Sequence, residues 1–263
     1  MPRAPPSPST AVAERADQEA LAARLGVFAL ELTIESGRDL SPAFRRVRLT
    51  GPGLATLPAL PGHDLMVSVD PERPSLRRRY TIRSLDAAAC AADLDIALHG
   101  GGPGMRWATA AQPGDAVDAL GPRGKVTLDP EVDWHLFIGD DSFCPAALVM
   151  AEAVPTDQMV LLALELSSPD DVVDHAVAAD VAGPGWVWRG DKPPGVDSPL
   201  PAAVAEMALP EGTGHAYIGG EFRVVNEIRA HLLARGQPDE RINAKPYWRL
   251  GRTNAPNGEP ERE

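Results

Sequence analysis

LRRRYTIRS, residues 76–84, sets four arginines and a tyrosine within nine positions of a chain whose formal net charge is −12. Read as a strand, it places side chains two apart on one face. Arg78 and Tyr80 therefore project together, with Arg77, Arg79 and Thr81 on the opposite side. A ring beside a cation suits a flat heterocycle carrying phosphate, because the ring stacks and the guanidinium makes paired hydrogen bonds. An ordinary barrel strand with solvated arginines has the same pattern, so the surrounding sequence has to decide.

Outward from this stretch, apolar and polar residues alternate. Phe44, Val47 and Leu49 interleave with Arg46 and Arg48, and Leu94, Ile96 and Leu98 alternate with Asp95 and Ala97. The breaks TGPG, LPG, DPERP, QPGD and GPRG are turn sequences. Short strands punctuated in this way predict an antiparallel barrel or sandwich over residues 27–130. Past DPEVD the texture changes. WHLFIG and QMVLLALEL are continuous apolar runs, as in buried parallel strands, and PAALVMAEAV and FRVVNEIRAHLLARG are helical. In the second helix Val225, Ile228 and Leu232 share a face, and Gly236 stands at the C-terminal cap. The expected organisation is an N-terminal appendage over 1–25, disordered at its start and helical in AVAERADQEALAARL. A barrel domain over 26–131, an α/β domain over 132–252 and a flexible tail over 253–263 follow.

Composition narrows the function classes. With 25 Lys+Arg against 37 Asp+Glu, the chain lacks the basic surface that a nucleic-acid partner requires. Cys90 and Cys144 form no C-x-x-C pair, which implies neither a disulfide framework nor a thiolate metal site. Cys144 reads as a small core residue, and His63, His135, His175, His215 and His231 as structural or surface residues. MPRAPPSPST has no apolar signal core and no later run is long enough to span a bilayer, so a cytoplasmic protein without a membrane partner is expected. No phosphate-binding P-loop, nucleophile elbow or zinc-spaced histidine pair is present, which leaves hydrolase and metalloenzyme readings with little support.

Three further stretches carry chemistry. HGGGPGMRWATAA, residues 99–111, leads from an alternating strand into an Ala-rich helix, and its glycines fit either the approach of backbone N–H groups and a helix N-terminus to a pyrophosphate or an ordinary strand-to-helix loop. IGDDSFCP, residues 138–145, ends a buried strand and fits either a ligand position beside the carboxyl end of a parallel sheet or a plain strand-to-helix turn with Asp or Ser as N-cap. GGE at 219–221 fits either backbone approach to a nucleotide or the turn that starts a helix.

With these motifs in order, RRYTIRSLD, LDIALHGGGPGMRWATAAQPGDAV, GPRG, IGDDSFCPAALVMAE, YIGGEFRVVNEIRAHL and PYWRLG, the chain resembles the siderophore-interacting proteins over residues 27–252. These are FAD-dependent ferric-siderophore reductases of the ferredoxin-reductase-like superfamily. The resemblance implies a six-stranded antiparallel FAD-binding barrel followed by a parallel-sheet nicotinamide-binding α/β domain. It assigns Arg78 to the FAD phosphates, Tyr80 to stacking on the isoalloxazine and Thr81 to the flavin edge. Arg83, His99, Gly102, Gly104, Met105 and Arg106 complete the flavin set, with Gly104 and Met105 standing where the family carries a small Ala-Ser pair. Gly139, Asp140, Asp141, Ser142, Gly220 and Glu221 are placed at the nucleotide, and Trp248 near the flavin or as a plug between domains.

The implied reaction is reduction of a ferric siderophore, with NADPH or NADH as donor and FAD between, by a monomer. Lys245, Arg249, Arg252 and Arg77 would attract the anionic iron complex, together with Arg79, and Arg189 after GWVW is a candidate contact for an adenosine 2′-phosphate. Two other readings share these motifs: a flavin reductase or electron-transfer flavoprotein with another acceptor, and a siderophore-binding protein that has lost its flavin.

Overall fold

A computed structural model describes residues 8–124, 126–177 and 182–253. Of the disorder expected over residues 1–10, positions 1–7 fall outside the described residues, whereas Pro8–Thr10 already belong to a helix; of the tail expected over 253–263, only Thr253 is described. The helix expected near the N-terminus is α1 (Pro8–Leu25). Its last turns lie on the barrel, where Ala22 packs with Met66 and Leu120 and the Gln18 amide donates to the Ala119 carbonyl at 3.2 Å.

The alternating half forms β1 (Phe28–Ser41), β2 (Phe44–Thr50), β3 (Asp64–Ser68), β4 (Arg77–Asp86) and β5 (Ala91–Ala97), then α2 (Pro103–Ala110) and β6 (Ala116–Arg123). The six strands close an antiparallel barrel in the order β1-β2-β5-β4-β3-β6, which leaves no free sheet edge. Its interior holds Ile34, Val47, Leu49, Leu65, Val67, Leu94 and Ile96. The continuous apolar runs form β7 (Trp134–Gly139), α3 (Cys144–Ala151), β8 (Met159–Leu166), β9 (Ala182–Trp188) and α4 (Leu200–Glu206). They are followed by β10 (Gly214–Glu221), α5 (Phe222–Ala234) and β11 (Ile242–Trp248). These strands make a parallel sheet in the order β11-β10-β7-β8-β9. Val225, Ile228 and Leu232 bury the inner face of α5, and Cys144 is buried with its thiol pKa pushed up by desolvation.

Phe44 departs from expectation. Val47 and Leu49 point into the barrel, whereas Phe44 has the parity of Arg46 and Arg48, so it points outward. There it enters the core of the second domain with Phe137, Phe143 and Cys144. The same outer face carries charge that is not solvated. Arg46 and Asp95, paired across β2 and β5, make a bidentate contact at 2.6 and 2.7 Å, and Asp95 is 3% exposed. Arg83 reaches from β4 to Glu152 at the end of α3, both bonds 2.6 Å. The two domains therefore meet through one aromatic plug and the Arg83–Glu152 pair, with the Arg46–Asp95 pair beside it on the barrel side.

Candidate active site at the domain junction

Between the domains lies a cleft of about 440 Å³. One wall is the start of β4 and the glycine loop; the other is Ser142 and the segment from Lys245 to Thr253. On β4 the strict alternation fails, because Arg78, Arg79, Tyr80 and Thr81 all line the cleft. Tyr80 lies parallel to Trp107 of α2, with ring centroids 5.8 Å apart and an interplanar angle of 17°. Burial pushes the Tyr80 phenol well above its ordinary pKa, and burial lowers the Arg78 guanidinium.

The glycine loop explains its own sequence. Gly100 and Gly101 have φ of +74° and +62°, the left-handed region that side chains disfavour. At Gly104 a Cβ would stand 2.2 Å from the Tyr80 hydroxyl and 3.3 Å from Cγ of Arg78, so an alanine has no room there. Helix α2 starts with Gly102 as N-cap and Pro103 at its first position, and no side chain caps it. Its first N–H groups, from Gly104 and Met105, are thus available to an anion at the helix's positive end. Ring, uncapped helix start and half-buried guanidinium converge on the cleft, and these residues fit a flavin dinucleotide. His99, Gly102 and Met105 also line it. Arg106 does not: its guanidinium donates to the Gly101 carbonyl at 2.5 Å and holds the loop.

Several expected contacts are made elsewhere. Arg83 faces Glu152 rather than the flavin, because the β4 register shifts between Ile82 and Ser84 and turns it toward α3. Arg77 is absent from the cleft wall and sits near Asp118 of β6, so it is not placed to meet an iron complex. Arg79 lines the cleft, but its guanidinium forks onto Asp64 at 3.0 and 2.6 Å, both side chains 11% exposed. Lys245, Arg249 and Arg252 do line the cleft; Arg249 lies 4.7 Å from the Phe222 ring centroid.

On the second domain Gly139 and Gly219 make room for a side chain of the protein itself. A Cβ at either would collide with the Phe143 ring, at 2.6 and 2.3 Å. The Asp140 carboxylate accepts from the Ser142 N–H (2.9 Å) and hydroxyl (2.5 Å), the Glu221 N–H (2.9 Å) and the Trp248 indole (2.9 Å). Burial, then the charge of Asp141, raises the Asp140 pKa. Gly220, at φ +129°, leaves space for this carboxylate. Glu221 caps α5 by accepting from the N–H groups of Arg223 and Val224, which resolves the GGE turn as a helix start. Asp141 pairs with Arg189 at 3.2 Å and stands 3.5 Å from His99. Arg189 is buried and also bonds Glu165 at 3.0 Å, so it is not free for an adenosine 2′-phosphate. Of the second-domain set only Ser142 and Trp248 reach the cleft.

Sequence reasoning missed Trp107 and Gly195. Trp107, three residues after Gly104 on α2, shares its helix face, and that spacing was the available signal. Gly195 had none: it comes from a loop after β9, and a Cβ there would meet Trp248 at 2.9 Å.

Comparison with known proteins bears on this cleft directly. Residues 132–251 match the family described as siderophore-interacting protein, and residues 62–126 match the siderophore-interacting FAD-binding domain. The chain belongs to the siderophore-interacting protein family. It is similar to the ferric vibriobactin reductase ViuB of Vibrio cholerae, 30% identical over 211 residues that cover 76% of this chain and 73% of that one. It is also similar to an NADPH-dependent ferric-chelate reductase of Escherichia coli, 28% identical over 160 residues and 59% of each chain. A siderophore utilization protein from T. fusca has the same architecture, with a TM-score of 0.79, 29% identity, and coverage of 87% of this chain and 95% of that one. The barrel is thus the FAD-binding domain of this siderophore-interacting protein, and FAD is its cofactor. No described helix is long and apolar enough to cross a membrane.

Proposed function

We propose that this siderophore-interacting protein is an NAD(P)H-dependent reductase that takes iron(III) from a ferric siderophore as iron(II), acting in the cytoplasm as a monomer. One observation carries the reading. The strand and helix start that suit a flavin share a single cleft with Lys245, Arg249 and Arg252 on the facing wall. Bound FAD supplies the conversion of a two-electron donor into one-electron steps. Tyr80, backed by Trp107, offers a flat face to a ring system, and Arg78 with the Gly104 and Met105 N–H groups meets phosphate. Lys245, Arg249 and Arg252 draw an anionic iron complex to the same cleft. Iron(II) is held less tightly than iron(III) by the hard oxygen donors of a siderophore, so reduction frees the metal. The names of the Vibrio and Escherichia relatives support both the acceptor class and the donor.

The test is anaerobic stopped-flow reduction of the purified flavoprotein by NADH and by NADPH, followed by turnover with iron(III) chelates, quinone and free flavin. Chromatography of the acid-released cofactor is expected to give FAD, and iron(III) chelates are expected to be the preferred acceptors. Recovery of FMN, or faster turnover with quinone or free flavin, would refute the reading.

A further inference from the structure

Asp140 itself does not line the cleft, yet its carboxylate organises the wall that does. It is 4% exposed, and its oxygens receive four donors from three places: Ser142 before α3, Glu221 at the end of β10, and Trp248 at the end of β11. An ionised carboxylate offers about four lone-pair sites, so its accepting capacity is filled. Two of these partners, Ser142 and Trp248, face the cleft. The Trp248 indole is boxed on other sides as well. His99 lies 5.5 Å away with rings tilted by 50°, and Gly195 leaves no room for a methyl between itself and the ring.

We propose that Asp140 is a positioning residue for the reaction, acting through Trp248: it fixes the indole against the cleft and makes no contact with substrate or cofactor. This rests on the reductase reading for its kinetic consequence, but not for its geometric one. Asp140→Ala removes the acceptor of the indole N–H, so the ring is held by packing alone, as against His99 and Gly195, and shifts in the cleft wall. Asp140→Asn keeps one accepting oxygen. The amide can turn that oxygen to the Trp248 and Glu221 donors and present its NH2 to the Ser142 hydroxyl, which can accept, while the Ser142 N–H loses its acceptor, so the rescue is expected to be partial.

Three variants test the proposal: Asp140→Ala, Trp248→Phe and the pair combined, with Asp140→Asn as the conservative control. In flavin-free protein, the emission of Trp248, isolated by difference from Trp248→Phe, should shift to longer wavelength in Asp140→Ala and less in Asp140→Asn. In the flavin-loaded protein, kcat for iron(III)–EDTA should fall about 10-fold in Asp140→Ala with KM nearly unchanged, the cost of misplacing a wall that orients reactants. In the Trp248→Phe background the same substitution should cost nothing further. An unshifted Trp248 emission, or a loss in the double variant equal to the product of the two single losses, would overturn the proposal. If Asp140→Ala does not fold, Asp140→Asn with and without Trp248→Phe gives the same cycle at smaller amplitude. Should the wild type fail to reduce any iron(III) chelate, the reductase reading falls and the emission measurement alone decides the role of Asp140.

Discussion

At Gly104 a single methyl group decides whether Tyr80 keeps its place. The space a Cβ needs is already held by the tyrosine hydroxyl, at 2.2 Å, so the Tyr80 ring has to move away and give up its place against Trp107. Gly104→Ala should therefore weaken FAD binding although glycine contributes no side chain to it. Tyr80→Ala and Arg78→Ala should each cost about 1–3 kcal/mol of FAD affinity, through a lost aromatic contact and a lost charged hydrogen bond respectively. Titration of FAD into the flavin-free variants checks all three. Wild-type affinity in each would return β4 to the status of an ordinary barrel strand. At this scale the sequence was informative where a residue type has one physical use. The uncapped glycine start of α2 and the ring of Tyr80 were readable. The arginines were less so, because whether a guanidinium meets a ligand or a carboxylate depends on partners far off in sequence: Arg79 on Asp64, Arg83 on Glu152 and Arg189 on Glu165.

The neighbouring strands β7 and β10 hold a polar element inside the sheet's own core. His135 and His215 flank Tyr217, whose ring lies 5.8 and 4.7 Å from theirs, and both histidines are buried. His135 meets the Gln158 side chain at 2.9 Å, and His215 contacts Asp129 at 3.2 Å and Asn243 at 2.8 Å. Burial lowers both imidazole pKa values below 6.5, outweighing the contacts that raise them. The unfolded chain then binds protons more readily than the folded one, so this part of the stability is complete above pH 6.5 and is lost as pH falls through the depressed folded values. Asp129, whose own pKa is lowered by a hydrogen bond from the Glu131 backbone, releases its share only below pH 3.8. The urea midpoint should drop between pH 7.5 and 5, and His135→Gln should flatten that slope. An unchanged slope would mean that other groups set the acid limit. Strand identity and order class were legible here from the apolar runs of WHLFIG and QMVLLALEL. The exception at Phe44 is instructive: apolar character alone suggested the barrel interior, while its even-numbered parity with Arg46 and Arg48 placed it outside.

Over the whole molecule, charge is unevenly placed. Against a net charge of −12, Lys245, Arg249 and Arg252 gather along the last strand and its extension at the cleft. A local positive field speeds encounter with an anion even when the total charge opposes it, and salt screens it over a Debye length of roughly 8–10 Å. Reduction of an anionic iron(III) complex should slow as salt is added. Lys245→Glu should lower kcat/KM for that complex and flatten its salt dependence, while leaving the flavin spectrum intact. Salt-independent turnover with wild-type kinetics in the variant would remove steering from the mechanism.

The seam between the domains has a consequence for ancestry and recombination. Phe44 fills a hole in the other half's core, and Arg83, flanked by the barrel's own Arg46–Asp95 pair, reaches across the boundary to Glu152. A lone barrel would expose an aromatic plug and uncover charges that the closed seam shields. The halves are matched as lock to key. A hybrid that joins this barrel to a relative's nucleotide half should assemble only when the graft carries both the socket for Phe44 and a carboxylate at the position of Glu152. A crossover near residue 131, the boundary expected from sequence, should therefore fail in this chain unless both features travel with the graft.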